Sequence, residues 1–180
     1  MKSSVDISPI ETTDQVGREN HDCRTCSRTG KPVSRKTVLL MVKPDFLEQA
    51  MVGRYSFCVS PDCPIVYFQN DGNYQFTVAD LRVRVGLKIE DDPVPLCYCF
   101  GFDESHIRDE IEQSGGTTIP GKISHLIAEG LCACESHNPS GMCCLGEVNR
   151  AVERMKGSLP TQCPDWIYLC GTARGNPRCK

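Results

Sequence analysis

The sequence predicts an α+β protein: a small β-rich zinc-knuckle unit followed by a helical, cysteine-lined unit. Three observations predict it. Cysteines recur in close-spaced groups, Cys23/Cys26 and Cys58/Cys63 in the first half, then Cys97/Cys99 and Cys132/Cys134/Cys143/Cys144. Among the first groups, short runs of β-branched and aromatic residues alternate with turn signals. Between the later groups lie two stretches with helix caps and apolar residues at helical spacing.

Residues 1–20 are polar and lack the apolar core of a signal peptide, so they read as a disordered tail. Cys23-Arg24-Thr25-Cys26 is a C-x2-C knuckle, with Gly30 and Pro32 suited to the turn after it. Residues 37–42, TVLLMV, are rich in β-formers and short, which predicts a strand. Pro44 can open a short helix, because its missing N–H is an orphan there anyway, and Phe46, Leu47 and Met51 should then face inward. Tyr55-Ser56-Phe57 leads into the second knuckle, Cys58-x4-Cys63. Residues 64–69, PIVYFQ, predict a strand, Asn70-Asp71-Gly72-Asn73 a tight turn, and YQFTV its hairpin partner. Residues 81–89 alternate apolar and basic, predicting a half-buried strand with Arg82 and Arg84 on its wet face.

The acidic, proline-broken stretch 90–95 reads as a linker, dividing a zinc-binding β-rich unit at 21–92 from a helical unit at 93–157. Asp103 suits the N-cap of a helix that Gly115-Gly116 ends. Thr118 caps a second helix, with Pro120 in its first turn and Gly130 at its end. Ile107, Ile111, Ile123, Leu126 and Ile127 let the two pack as a hairpin, and a third helix spans about 146–156. Residues 158–180 form a loop-like segment with Cys163, Cys170 and Cys179, which Trp166 and Tyr168 should pack against the body.

Thirteen cysteines in 180 residues is the most informative number. Without an export signal the chain reads as cytoplasmic, and in a reducing compartment such groups bind metal rather than form disulfides. The net charge of −3 and the lack of a basic stripe exclude a nucleic-acid binder. The longest apolar run, 37–42, is far too short to span a bilayer. Cys23, Cys26, Cys58 and Cys63, two knuckles each on a turn beside a strand, predict a four-thiolate structural zinc site with no open position for water.

The later cysteines form a second site, read as iron–sulfur because such clusters take thiolates. Gly101, Gly130, Gly141 and Gly146 offer backbone able to approach it closely, and the third helix begins beside it. Spacing alone separates neither a [2Fe–2S] cluster from a second zinc nor four ligands from the six cysteines. The histidines carry weaker signals: His106 and His125 on helices, His21 before the first knuckle, and His137 placed to tune a cluster sulfur. Asp103 and Glu104 look like a carboxylate pair, but a helix N-terminus explains both.

Cys23-x2-Cys26, the YSFC and CPIVYF runs, the VRV strand, Cys97-Tyr98-Cys99 and the NPSGMCC run at 138–144 together resemble the N-terminal domain of CopZ-type copper chaperones over about 20–150. The part from 97 to 150 is also similar to bacterioferritin-associated ferredoxin domains. The resemblance implies one zinc on Cys23, Cys26, Cys58 and Cys63, and one [2Fe–2S] cluster on Cys97, Cys99, Cys134 and Cys144. Cys132 and Cys143 are then spare thiols. Those chaperones continue into a heavy-metal-associated domain with a C-x2-C for Cu(I); residues 158–180 show no such pattern, so copper carriage does not transfer.

The expected function is therefore one-electron transfer linked to copper or other metal handling, with an electron-donor protein and a metal-trafficking partner. The alternative is a metallochaperone or sensor binding Cu(I) or another soft ion through spare cysteines. No nucleophile–base pair points to an enzyme, metal-ion reduction at the cluster being the one activity the reading admits.

Overall fold

In the computed structural model the described residues are 21–157. The expected tail at 1–20 and the segment 158–180, with Cys163, Trp166, Cys170, Tyr168 and Cys179, lie outside them.

The first unit is built on a four-stranded antiparallel sheet in simple order: β1 (Lys31–Val33), β2 (Tyr55–Phe57), β3 (Ile65–Gln69) and β4 (Gln75–Thr77). The expected hairpin pairs Phe68 with Gln75 across the Asn70–Asn73 turn. β3 is buried along its whole length, because helices cover one face and the cysteine knuckles the other. Between β1 and β2 come α1 (Arg35–Met41), a 3-10 turn at Pro44–Phe46 and α2 (Leu47–Ala50).

Residues 37–42 are thus mostly helix, not the expected strand. Ser34 decides it: its side chain accepts the N–H of Thr37 at 3.1 Å and caps the helix, and Val38 and Met41 then fall one turn apart on the buried face. Met51 also departs from expectation, being 60% exposed beyond the end of α2, while Phe46 edges onto Phe76 at a centroid distance of 6.1 Å.

Residues 81–89 do not form the expected strand either. Their alternation is real in burial, with Leu81 and Val85 inside. The ladder, however, is reduced to a bridge between Val42 and Leu81 and a bond from the Arg82 N–H to the Met41 carbonyl at 2.8 Å. Arg82 and Arg84 are tied rather than merely solvated: Arg82 donates to the Val42 carbonyl at 2.6 Å and Arg84 pairs with Asp91 at 2.8 Å. Gly86 then turns the chain so closely past Pro95 that a Cβ would stand 2.0 Å from the Pro95 carbonyl oxygen.

The second unit opens on a two-stranded hairpin absent from the sequence reading, β5 (Pro95–Cys97) and β6 (Phe102–Asp103). Asp103 then caps α3 (Glu104–Ser114), its carboxylate accepting the N–H groups of Ser105 at 2.9 Å and His106 at 3.2 Å; Gly115 ends the helix in the left-handed conformation, φ +74°. α4 (Ile119–Ala128) begins as expected after Thr118, but the Thr118 side chain does not cap it. Instead the Glu110 carboxylate reaches from α3 and accepts from the Thr118 N–H at 2.7 Å, the Thr117 hydroxyl at 2.8 Å and Lys122 at 2.9 Å. A one-turn helix, α5 (Cys134–His137), precedes α6 (Leu145–Met155). The buried Val148, Ala151 and Val152 of α6 meet Ile107, Ile119 and Ile123, so α3 and α4 are held together by a third partner and not as a simple hairpin.

A buried bond and a part-buried one tie the first unit to the second cysteine segment. The Tyr67 hydroxyl donates to the Pro139 carbonyl at 2.6 Å, and the Thr37 hydroxyl to the Glu135 carbonyl. Both acceptors sit on the segment between Cys134 and Cys144, Glu135 in α5 and Pro139 in the loop after it. Among the described residues no helix is long and apolar enough to cross a membrane.

Candidate metal centres

Cys23 and Cys26 lie on the turn before β1, Cys58 directly after β2, and Cys63 just before β3. The sheet brings both turns to one end. The four sulfurs lie within 4.8 Å of one another, with Cys23–Cys63 at 3.9 Å and Cys26–Cys58 at 3.6 Å. Four thiolates at about 2.3 Å around a tetrahedral ion stand about 3.8 Å apart, so this donor set has the spacing and the chemistry of a zinc site. Cys23 and Cys58 are fully buried, and Phe68 and Ile65 pack on the group.

Burial pushes the Cys58 thiol up to about 12 and raises Cys63 as well. Burial also opposes ionisation of Cys26, but the Arg28 N–H and the neighbouring thiols outweigh it and bring that thiol down to about 7. The N–H groups of Ser60 and Ile65 serve Cys58 and Cys63 in the same way. Such peptide dipoles favour thiolates, and a metal ion completes what they begin by displacing the remaining protons. His21 takes no part; its Nδ1 lies 3.3 Å from the Ser56 hydroxyl.

The second group is arranged differently. Cys97 ends β5, Cys99 follows in the hairpin turn, Cys134 opens α5 and Cys144 is the N-cap residue of α6. Cys99 and Cys134 stand 3.7 Å apart, Cys134 and Cys144 4.0 Å apart, and Cys144 hydrogen-bonds Cys97. That last bond shares one proton between two sulfurs: it brings Cys97 down to about 6 and raises Cys144. Burial pushes Cys134 up to about 12. Cys132 lies 3.9 Å from Cys134, while Cys143 is exposed. Five sulfurs therefore share one pocket, in a string of adjacent contacts.

The backbone donors around these sulfurs are not those the glycines suggested. A Cβ at Gly101 or Gly130 would meet nothing within 4 Å; both glycines serve left-handed turns, φ +70° and +71°. The N–H groups of Phe100 and Cys99 serve Cys97, that of Ala133 serves Cys99 at 3.3 Å, and that of Cys144 serves Cys134. The cysteine spacing itself was the available signal, since C-x-C places the peptide of one cysteine beside the sulfur of the other. His137 turns away to Ala133 and Ser136, each at 3.2 Å, and His106 is engaged by Asp103 at 2.8 Å. Glu104 pairs with Arg154 at 2.5 Å, so the two carboxylates are structural.

The fold and its cysteine groups define a metal-binding α+β protein with two sulfur-lined sites. A family model described as a zinc binding domain, zf_CopZ, matches residues 20–82. The copper chaperone CopZ of Archaeoglobus fulgidus is 32% identical over 129 residues, which is 71% of this chain and 60% of that protein. The X-ray structure of the A. fulgidus CopZ N-terminal domain superposes with a TM-score of 0.58 at 30% identity, covering 72% of this chain and 95% of that one. This chain belongs to the family of the CopZ N-terminal domain. It spans about 60% of the length of the full-length relative.

Proposed function

We propose that the chain is a zinc-stabilised [2Fe–2S] protein that transfers single electrons in the handling of copper or another metal. The observation that carries this is the contrast between the two sulfur groups. The sulfurs of the Cys23 group all lie within 4.8 Å of one another, as a single ion requires. Cys97, Cys99, Cys134 and Cys144 form instead an open string, with Cys99–Cys134 at 3.7 Å, Cys134–Cys144 at 4.0 Å, and Cys144 bonded on to Cys97. Two thiolates for each of two metals is the donor set of a [2Fe–2S] centre. When bound, such a cluster supplies a one-electron couple. The chain's own residues set the conditions for it. Burial of Cys97, Cys134 and Cys144 excludes water, while the N–H groups of Phe100, Ala133 and Cys144 offset thiolate charge and raise the potential. Copper enters through the likeness to a copper chaperone, and an electron donor and a metal-trafficking partner belong to this proposal.

The half-buried Cys132 and the exposed Cys143 beside the centre favour a second reading, a chaperone or sensor that holds Cu(I) on spare thiols. Titration under argon separates the two. Electron transfer predicts a reversible uptake of about one electron per chain, unchanged when Cys132 and Cys143 are replaced by Ser. A chain that shows no such couple but binds Cu(I) stoichiometrically, and loses it in that variant, would favour the chaperone.

A further inference from the structure

We infer that Cys132 is a reserve ligand of the second cysteine centre, able to take the place of Cys134; this rests on the [2Fe–2S] reading above. The pocket offers five sulfurs for four positions. The Cys132 Sγ lies 3.9 Å from the Cys134 Sγ, within the 3.7–4.0 Å range of the contacts between Cys134 and its neighbours Cys99 and Cys144. Cys143, exposed, has no sulfur of this group within hydrogen-bonding reach among the described residues. Cys132 and Cys134 flank a single residue, Ala133, whose N–H donates to the Cys99 Sγ at 3.3 Å. That bond anchors the middle of the segment on the centre while both of its ends present sulfur to it.

The two ends differ in freedom. Cys134 is buried and opens α5, where its carbonyl accepts the Asn138 N–H at 2.9 Å. Cys132 is only half-buried and lies in the irregular stretch between α4 and α5, outside any helix or strand. A small rotation of the Cys132–Ala133 peptide therefore suffices to bring its sulfur inward, without unwinding a helix. In the exchange one iron–sulfur bond to Cys134 is broken and one to Cys132 is made. The Cys132 thiol gives its proton to water, the released Cys134 thiolate takes one up, and no electron moves. The exchange shifts a ligand from a buried sulfur to a more exposed one, and so opens the centre to solvent on that side.

The test uses the full chain, prepared without oxygen, as wild type, Cys132→Ala, Cys134→Ala and the double variant. Alanine is chosen because a serine oxygen can itself bind iron. Iron, sulfide, zinc and the visible spectrum are measured for each. Cys132→Ala is expected to keep the wild-type iron content and spectrum. Cys134→Ala is expected to keep about two irons per chain with a shifted spectrum, and the double variant to lose them while retaining zinc. Loss of iron in Cys134→Ala as complete as in the double variant would overturn the inference. So would loss in Cys132→Ala alone, which would make Cys132 a resident ligand. Should Cys134→Ala fail to fold, alkylation of the iron-loaded wild type decides: a reserve ligand leaves Cys132 labelled and Cys134 protected, whereas equal protection of both contradicts it. Wild type without iron would overturn the [2Fe–2S] reading itself, an outcome distinct from iron present in wild type and lost only in Cys134→Ala.

Discussion

Among single residues, Cys58 is the most deeply committed of the first sulfur group. It is fully buried, its thiol is pushed up to about 12 by that burial, and it stands 3.6 Å from Cys26. Replacing an outer-sphere partner of a metal ligand costs 10–100-fold in affinity, so removing the ligand itself costs more. Cys58→Ser is therefore expected to weaken zinc binding by more than about 100-fold, measured by competition with a chromophoric chelator. Retained stoichiometric zinc would mean that Cys58 is not a ligand. Glu110 makes a second prediction. Lys122 first, then the Thr118 N–H and the Thr117 hydroxyl, hold its carboxyl at about 2, below the ordinary 4.5. A depressed carboxyl contributes stability that is complete above the unfolded value and fades as pH falls toward the folded one. Glu110→Gln should thus lower the thermal midpoint at neutral pH, with the gap to wild type narrowing below about pH 4.5. A gap independent of pH would contradict the assignment of Glu110 as the ionised cap of α4.

Among the elements, the segment 134–144, α5 and the loop after it, matters most, since Cys134 and Cys144 stand at its ends. It is held from outside by the Tyr67 hydroxyl and the Thr37 hydroxyl, and from within by Asn138, whose side chain donates to the Met142 carbonyl at 2.9 Å and accepts the Ser140 N–H at 3.0 Å. Tyr67 is wholly buried on β3, two residues from the strand start that follows Cys63. Tyr67→Phe leaves the Pro139 carbonyl without its donor, at a cost of about 1–3 kcal/mol. The expected signature is a faster loss of iron on exposure to air, at unchanged zinc content. Zinc lost together with iron would show instead a general loosening of β3.

The same elements show what could be read from sequence. The cysteine groups were legible because ligand geometry leaves few spacings, and the β3–β4 hairpin because Asn70–Asn73 states its turn. Asp103 and Gly115 likewise announced the ends of α3. α1 was misread because six apolar or β-branched residues in a row carry no period, and only the Ser34 cap distinguished helix from strand. Residues 81–89 kept their alternation while losing their partner strand, which local pattern cannot register. Glu110 was invisible for a related reason: a carboxylate on one helix capping the next is a tertiary contact. The pairing of Cys97 with Cys144 and of Cys99 with Cys134, across more than thirty residues, was likewise beyond spacing alone.

For the whole molecule, the zinc-side sulfurs and the second group share one framework. Cys58 and Cys63 lie between β2 and β3, β3 carries Tyr67, and Tyr67 holds the segment of Cys134 and Cys144. Zinc binding to a site absent from the unfolded chain is folding free energy, about 10–16 kcal/mol in small zinc domains. Removing zinc with a chelator should therefore lower the thermal midpoint and release iron as a consequence; iron held unchanged after complete zinc removal would show the two centres to be independent.

The central claim is that one chain holds two sulfur centres of different kind. Anaerobic purification followed by iron, acid-labile sulfide and zinc analysis, with a visible spectrum before and after dithionite, tests it most directly. The account predicts about two irons, two sulfides and one zinc per chain, with brown colour that bleaches on reduction. A colourless protein with zinc in both sites and no sulfide, even after attempted reconstitution, would contradict it.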